Sequence, residues 1–154
     1  MAFALRRFAF AALGCIALAT VSALAMAPML RPDPSPDIPV GQAAPFAGSW
    51  SLAMPSREVT EPGTTLAICT LPIRIEAADD THIFYLGPRE TEPDAAIELV
   101  AVGDGTSWQP IAGGPAFFAL WITPDRFYLY DAVAEGEPDW DSPYIYERCF
   151  ESQP

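Results

Sequence analysis

ICTLPIRIEA, residues 68–77, is the stretch that decides the fold class. Cys69, Leu71, Ile73 and Ile75 alternate with Thr70, Arg74 and Glu76. An apolar–polar period of two is the pattern of a half-buried strand, because successive side chains of a strand point to opposite faces. Pro72 falls on the outer face, and since proline cannot donate to a ladder it marks an edge position or a bulge. The same reading extends along the chain. SWSLAM (49–54), HIFYLG (82–87), AIELVAV (96–102), SWQPI (107–111), AFFALWI (116–122), FYLYDAV (127–133) and YIYERCF (144–150) are strand-like runs. Between them, Gly103-Asp104-Gly105, Gly113-Gly114-Pro115 and Thr123-Pro124-Asp125-Arg126 supply the positive or fixed φ of tight reversals. No segment from Phe46 onward sustains a helical period. The expectation is an all-β domain over 46–151, an antiparallel meander of about eight strands forming a closed barrel or a sandwich. Closure is favoured because it removes exposed edges.

The N-terminus has a different character. Arg6 and Arg7 precede an uncharged run from Phe8 to Leu30, and Ala23-Leu24-Ala25 offers a small-x-small cleavage site. That is the pattern of a bacterial secretory signal, removed after residue 25. The run is also long enough to remain as a hydrophobic helix anchoring the chain over 8–30, and lipidation at Cys15 is a third option. All three readings place the domain outside the cytoplasm, periplasmic or secreted. Residues 26–45 carry prolines at 28, 32, 34, 36, 39 and 45. That density disfavours helix and sheet alike and predicts an extended tether, either a spacer or a segment that docks into a partner's cleft.

Without residues 1–25 the chain keeps all 20 of its carboxylates and six arginines, a side-chain balance of −14. Such a chain is repelled by nucleic acid and by anionic lipid surfaces. Cys69 and Cys149 are then the remaining cysteines, and in an oxidising compartment they read most simply as one disulfide. A redox pair or metal site is the alternative, but there is no CxxC and His82 is the single histidine of the chain. No GxSxG, HExxH, Walker loop or GxGxxG occurs. The reading is no catalytic residue, no metal and no cofactor. Glu135, Glu137, Asp139 and Asp141 could gather oxygen ligands for Ca²⁺, but lack EF-hand spacing and read as a solvated acidic loop.

Aromatic residues concentrate in the C-terminal third. Tyr128, Tyr130, Trp140, Tyr144 and Tyr146 form a candidate interaction surface, since amphipathic rings serve recognition as well as cores. Alternation in the last strand sets Tyr144, Tyr146 and Arg148 against Ile145, Glu147 and Cys149, and leaves open which face is inside.

Gly48-Ser49-Trp50 on the first strand, with Arg148 near the end of the last, resembles the signature of the calycin barrels. In that likeness the tryptophan closes one barrel end, the arginine packs across it, and the glycine lets the chain enter tightly. The chain is also similar to the small secreted bacterial metalloprotease-inhibitor barrels, in GSWSLA, in Cys69-Thr70-Leu71, and in WITPDRFYLYDA (121–132). The calycin likeness implies Gly48, Trp50 and Arg148 as barrel-closure residues. The inhibitor likeness implies a secreted barrel with an inhibitory N-terminal arm. The expected function is non-enzymatic binding, to a protein partner in the cell envelope. Protease inhibition through residues 26–45 and carriage of a small hydrophobic ligand are the alternatives, and the last requires an internal cavity of about 300 Å³.

Overall fold

The computed structural model describes residues 31–54, 65–132 and 137–150. The signal or anchor segment and residues 26–30 lie outside the described residues, as do Glu135 of the acidic loop and the end of the run that begins at Phe127. Nine strands are present among the described residues: β1 (Gly48–Ala53), β2 (Thr65–Ala67), β3 (Ile73–Ala77), β4 (His82–Leu86), β5 (Ala95–Val102), β6 (Gly105–Pro110), β7 (Phe117–Thr123), β8 (Arg126–Asp131) and β9 (Tyr144–Arg148). From β3 to β9 each strand pairs antiparallel with the next, β1 pairs with β3, and β9 returns to pair with β1. The result is a closed eight-stranded antiparallel barrel with β2 as an additional strand.

The extra strand corrects the reading of ICTLPIRIEA as one unbroken element. Leu71 bridges back to Ile68 across a turn at Cys69-Thr70, with Leu71 N donating to Ile68 O at 2.8 Å. Only Ile73–Ala77 continues as strand. Pro72 sits at the break, where no ladder donor is needed. β2 and β3 then run along the same flank of β1, β2 against Leu52 and Ala53, β3 against Gly48 to Trp50. β9 occupies the other flank. The bond between Cys69, in the turn after β2, and Cys149, just past β9, therefore joins the two neighbours of β1 to each other. Their Cα atoms are 5.3 Å apart and 80 residues apart in sequence. In the chain-entropy account a loop of that length contributes about 4–5 kcal/mol.

Inward side chains follow the strand period, from Trp50 and Leu52 on β1 round to Tyr144 and Tyr146 on β9, apart from register shifts at Leu52/Ala53 and Trp121/Thr123. Tyr146 is buried and Glu147 exposed, which settles the last strand: its tyrosine face is inside. Glu147 carries no burial cost, because it faces solvent and pairs with Arg126 across the β8–β9 ladder.

Residues 31–45 of the proline-rich stretch have no helix or strand, in line with their composition, but they do not hang free. Ser35 N donates to Trp121 O at 2.8 Å, Gly41 N to the buried Thr106 Oγ1 at 2.9 Å, and Ala43 N to Asp80 O at 2.8 Å. Gly41 has φ +70°, and a Cβ there would meet Ala101 N at 2.8 Å, so only glycine lets the arm cross β5 this closely. Ala43 and Phe46 are fully buried. The arm thus crosses the barrel end formed by the start of β1, the β3–β4 turn and the β7–β8 turn, and stoppers it.

Candidate functional site

The stoppered end is built around Trp50. Its ring is fully buried and its Nε1 donates to Phe46 O at 2.8 Å. The Arg148 guanidinium lies over that ring, with Cζ 4.2 Å from its centroid. Trp50 and Arg148 are directly opposite each other in the β1–β9 ladder, which is how residues 98 positions apart come to stack. Arg148 Nη1 and Nη2 donate to Ala47 O at 2.9 Å and Pro45 O at 2.8 Å, and Nε faces Asp125 Oδ1 at 3.2 Å. Gly48 has φ +139°, and a Cβ there would stand 2.8 Å from Arg148 Nη1. Its hydrogen is therefore what makes room for the guanidinium. Phe46, which alternation alone did not single out, is the hub below: its ring lies 5.2 Å from Trp108, 4.8 Å from Trp121 and 5.2 Å from Phe127. This end is packed solid.

The opposite end is not. There the inward side chains line an open apolar cavity of about 340 Å³. Ala95, Ile97, Pro110, Phe117 and Leu129 form its walls, and Trp108 and Tyr146 lie deepest in it. These residues come from β5 to β9, and they point inward for the same reason the stoppered end is full: strand alternation places every second residue inside. The difference is residue size and the arm. At one end Phe46 enters from outside the strands, and at the other no such plug is present among the described residues.

Two phenols meet at the cavity wall. Tyr85 Oη and Tyr146 Oη are 3.2 Å apart, one donating to the other. Tyr146 is held by stacking on Phe127, with ring centroids 4.5 Å apart and planes 10° off parallel. Tyr85 sits at the end of β4, pinned where Asp94 N donates to its carbonyl at 2.8 Å. Burial pushes both phenols above the ordinary tyrosine value, so they stay protonated. Among the described residues no carboxylate, imidazole, thiol or cation lines the cavity.

The five aromatics expected to share an interaction surface are placed differently. Tyr146 and Tyr144 point into the barrel, Tyr146 buried and Tyr144 half-buried at the cavity wall. Tyr130 faces outward from β8 yet is only 1 % exposed, because Trp140 folds over it with ring centroids 4.9 Å apart. Tyr128 and Trp140 are half-buried on the outside. Trp140 in turn lies beneath Arg31, whose Cζ is 5.2 Å from its centroid and which also pairs with Asp104. Tyr130 and Trp140 thus belong to the latch that fastens the start of the arm to the barrel wall.

His82 and Asp79 form a hydrogen-bonded pair at 2.8 Å in the β3–β4 turn, at the stoppered end and remote from the cavity. Among the described residues no three His, Cys, Asp or Glu side chains gather to hold a metal. Sequence reading did not find Tyr85 as a partner of Tyr146; HIFYL and YIYER each show a tyrosine, but only the barrel register brings the two hydroxyls together. Comparison with protein-family models, with curated proteins and with solved structures finds no match to this chain.

Proposed function

We propose that this chain is an extracytoplasmic, non-enzymatic binding protein that carries a small hydrophobic molecule in its barrel. The observation that carries this is the 340 Å³ apolar cavity, at the low end of the range that ligand sites occupy. The signal-like N-terminus and the Cys69–Cys149 bond support an oxidising compartment. The likeness to calycin barrels, in Gly48, Trp50 and Arg148, points the same way: one end stoppered, the other a mouth.

The inhibitor reading fares less well. An inhibitory arm must be free to enter a protease cleft, whereas residues 31–45 are engaged with their own barrel through Arg31, Ser35, Gly41 and Ala43. A protein partner in the envelope has a specific observation in its favour. Ile68 and Phe150, 52 % and 69 % exposed, flank the disulfide and form an apolar patch outside the barrel. Phe150→Ser should then reduce co-purification of an envelope partner without altering ligand binding; unchanged co-purification removes that reading.

Ala95→Phe tests the cavity itself. Ala95 lies at the wall, half-buried, and a phenyl group there fills space without removing any existing contact. Titration with an apolar fluorophore such as phenylnaphthylamine should show saturable binding to the natural chain and at least a tenfold loss in Ala95→Phe, with the far-ultraviolet spectrum unchanged. Equal binding to both places the fluorophore elsewhere and defeats the reading.

A further inference from the structure

Resting on that cavity reading, we propose that the site selects a neutral apolar molecule bearing one hydrogen-bond acceptor, a ketone or ester carbonyl, with the Tyr85–Tyr146 phenol pair as its polar anchor. Two phenols carry two donor hydrogens, and the bond between them uses one. Neither hydroxyl has another partner among the described residues, so the second O–H remains to be given. Trp108 strengthens the case from an independent direction. It is 1 % exposed, forms part of the cavity wall, lies with its ring 6.5 Å from that of Tyr146, and its Nε1 has no acceptor among the described residues. A buried donor without an acceptor is costly, and a ligand that supplies the acceptor removes that cost. The phenol pair therefore offers a spare donor, Trp108 carries a further unmet one beside it, and among the described lining residues the phenol oxygens are the side-chain acceptors.

The same inventory argues against an anion. A carboxylate brought into this cavity would lose its hydration and find no cation among the described lining residues. Arg148 is at the far end, committed to Trp50, to the Pro45 and Ala47 carbonyls and to Asp125. A pure hydrocarbon fits the walls but leaves the donors unmet. A carbonyl compound satisfies both demands.

Three probes of one shape separate these outcomes: acetylnaphthalene, isopropylnaphthalene and naphthoate, titrated against the full mature chain at neutral pH by fluorescence. Acetylnaphthalene should bind about fivefold or more tighter than isopropylnaphthalene, the worth of one net hydrogen bond, and naphthoate weakest. In the Tyr85→Phe/Tyr146→Phe double variant the ketone should lose its advantage, while isopropylnaphthalene keeps its affinity within about twofold and so reports an intact cavity. Equal affinities for ketone and hydrocarbon in the natural chain overturn the carbonyl assignment and leave the cavity reading standing. A ketone preference that survives in the double variant overturns the phenol pair as anchor. Binding of none of the three overturns both.

Discussion

Arg148 joins four separate groups at the stoppered end: the Trp50 ring, the carbonyls of Pro45 and Ala47, and the Asp125 carboxylate. Its truncation removes a cation–π contact and two charge-assisted hydrogen bonds, so Arg148→Ala should cost about 2–3 kcal/mol. Arg148→Lys keeps the charge but not the planar fork and should recover only part of that. Gly48→Ala should cost about 1–3 kcal/mol, from its φ and from contact with Nη1. The contact component should vanish when Arg148 is already alanine. Urea unfolding of the two single variants and the double variant reads this coupling directly; strict additivity would mean that Gly48 matters for backbone conformation alone. The stacking of Arg148 on Trp50 was legible in sequence only through the likeness of Gly48-Ser49-Trp50 and Arg148 to the calycin signature. Its carbonyl acceptors were not, because they lie on a segment without periodicity whose course depends on the finished barrel.

At the scale of elements, alternation located every barrel strand but not the break inside ICTLPIRIEA. The period of two continues through Cys69, Leu71 and Ile73, so hydrophobicity alone cannot distinguish a straight strand from one interrupted by a turn. Pro72 was the available signal. The arm shows the converse. Proline density implies an extended chain, but residues 31–45 instead pass through several turns, and their docking is set by single groups, Gly41 against Thr106 and Arg31 against Asp104, that carry no pattern. The outer latch has a pH dependence of definite sign. Hydrogen bonding and charge from Arg31 hold the Asp104 carboxyl below the ordinary carboxylate value. A lowered folded-state value means that the latch contributes fully above the ordinary carboxylate range and loses its contribution as pH falls through the lowered value. Trp140 fluorescence and protease sensitivity near Arg31 should accordingly change in acid, and Asp104→Asn should show the acid behaviour at neutral pH. Identical pH profiles for the two proteins would rule out Asp104 as the titrating group.

For the whole molecule, the decisive asymmetry lies between the two barrel ends. Both are lined by the inward residues of the same strands, but one is filled by Phe46, Trp50 and Trp121 beneath the arm, and the other holds an open cavity of about 340 Å³. Sequence could state the requirement for a cavity, but the large aromatic residues of the domain could equally have filled one. What it could not show is that the large rings gather at one end. Aromatic residues at alternate positions on several strands are equally compatible with an even filling, and only the register decides their depth. The cavity at this open end is the proposed binding site, and titration of the labelled chain with acetylnaphthalene, followed by nuclear magnetic resonance, locates the ligand. Binding there should give saturable shifts of the Trp108 indole N–H and of the Ile97 and Leu129 methyl groups, with the Trp50 indole N–H unmoved. Shifts confined to the outer face, around Ile68 and Phe150 or around Trp140, would contradict it.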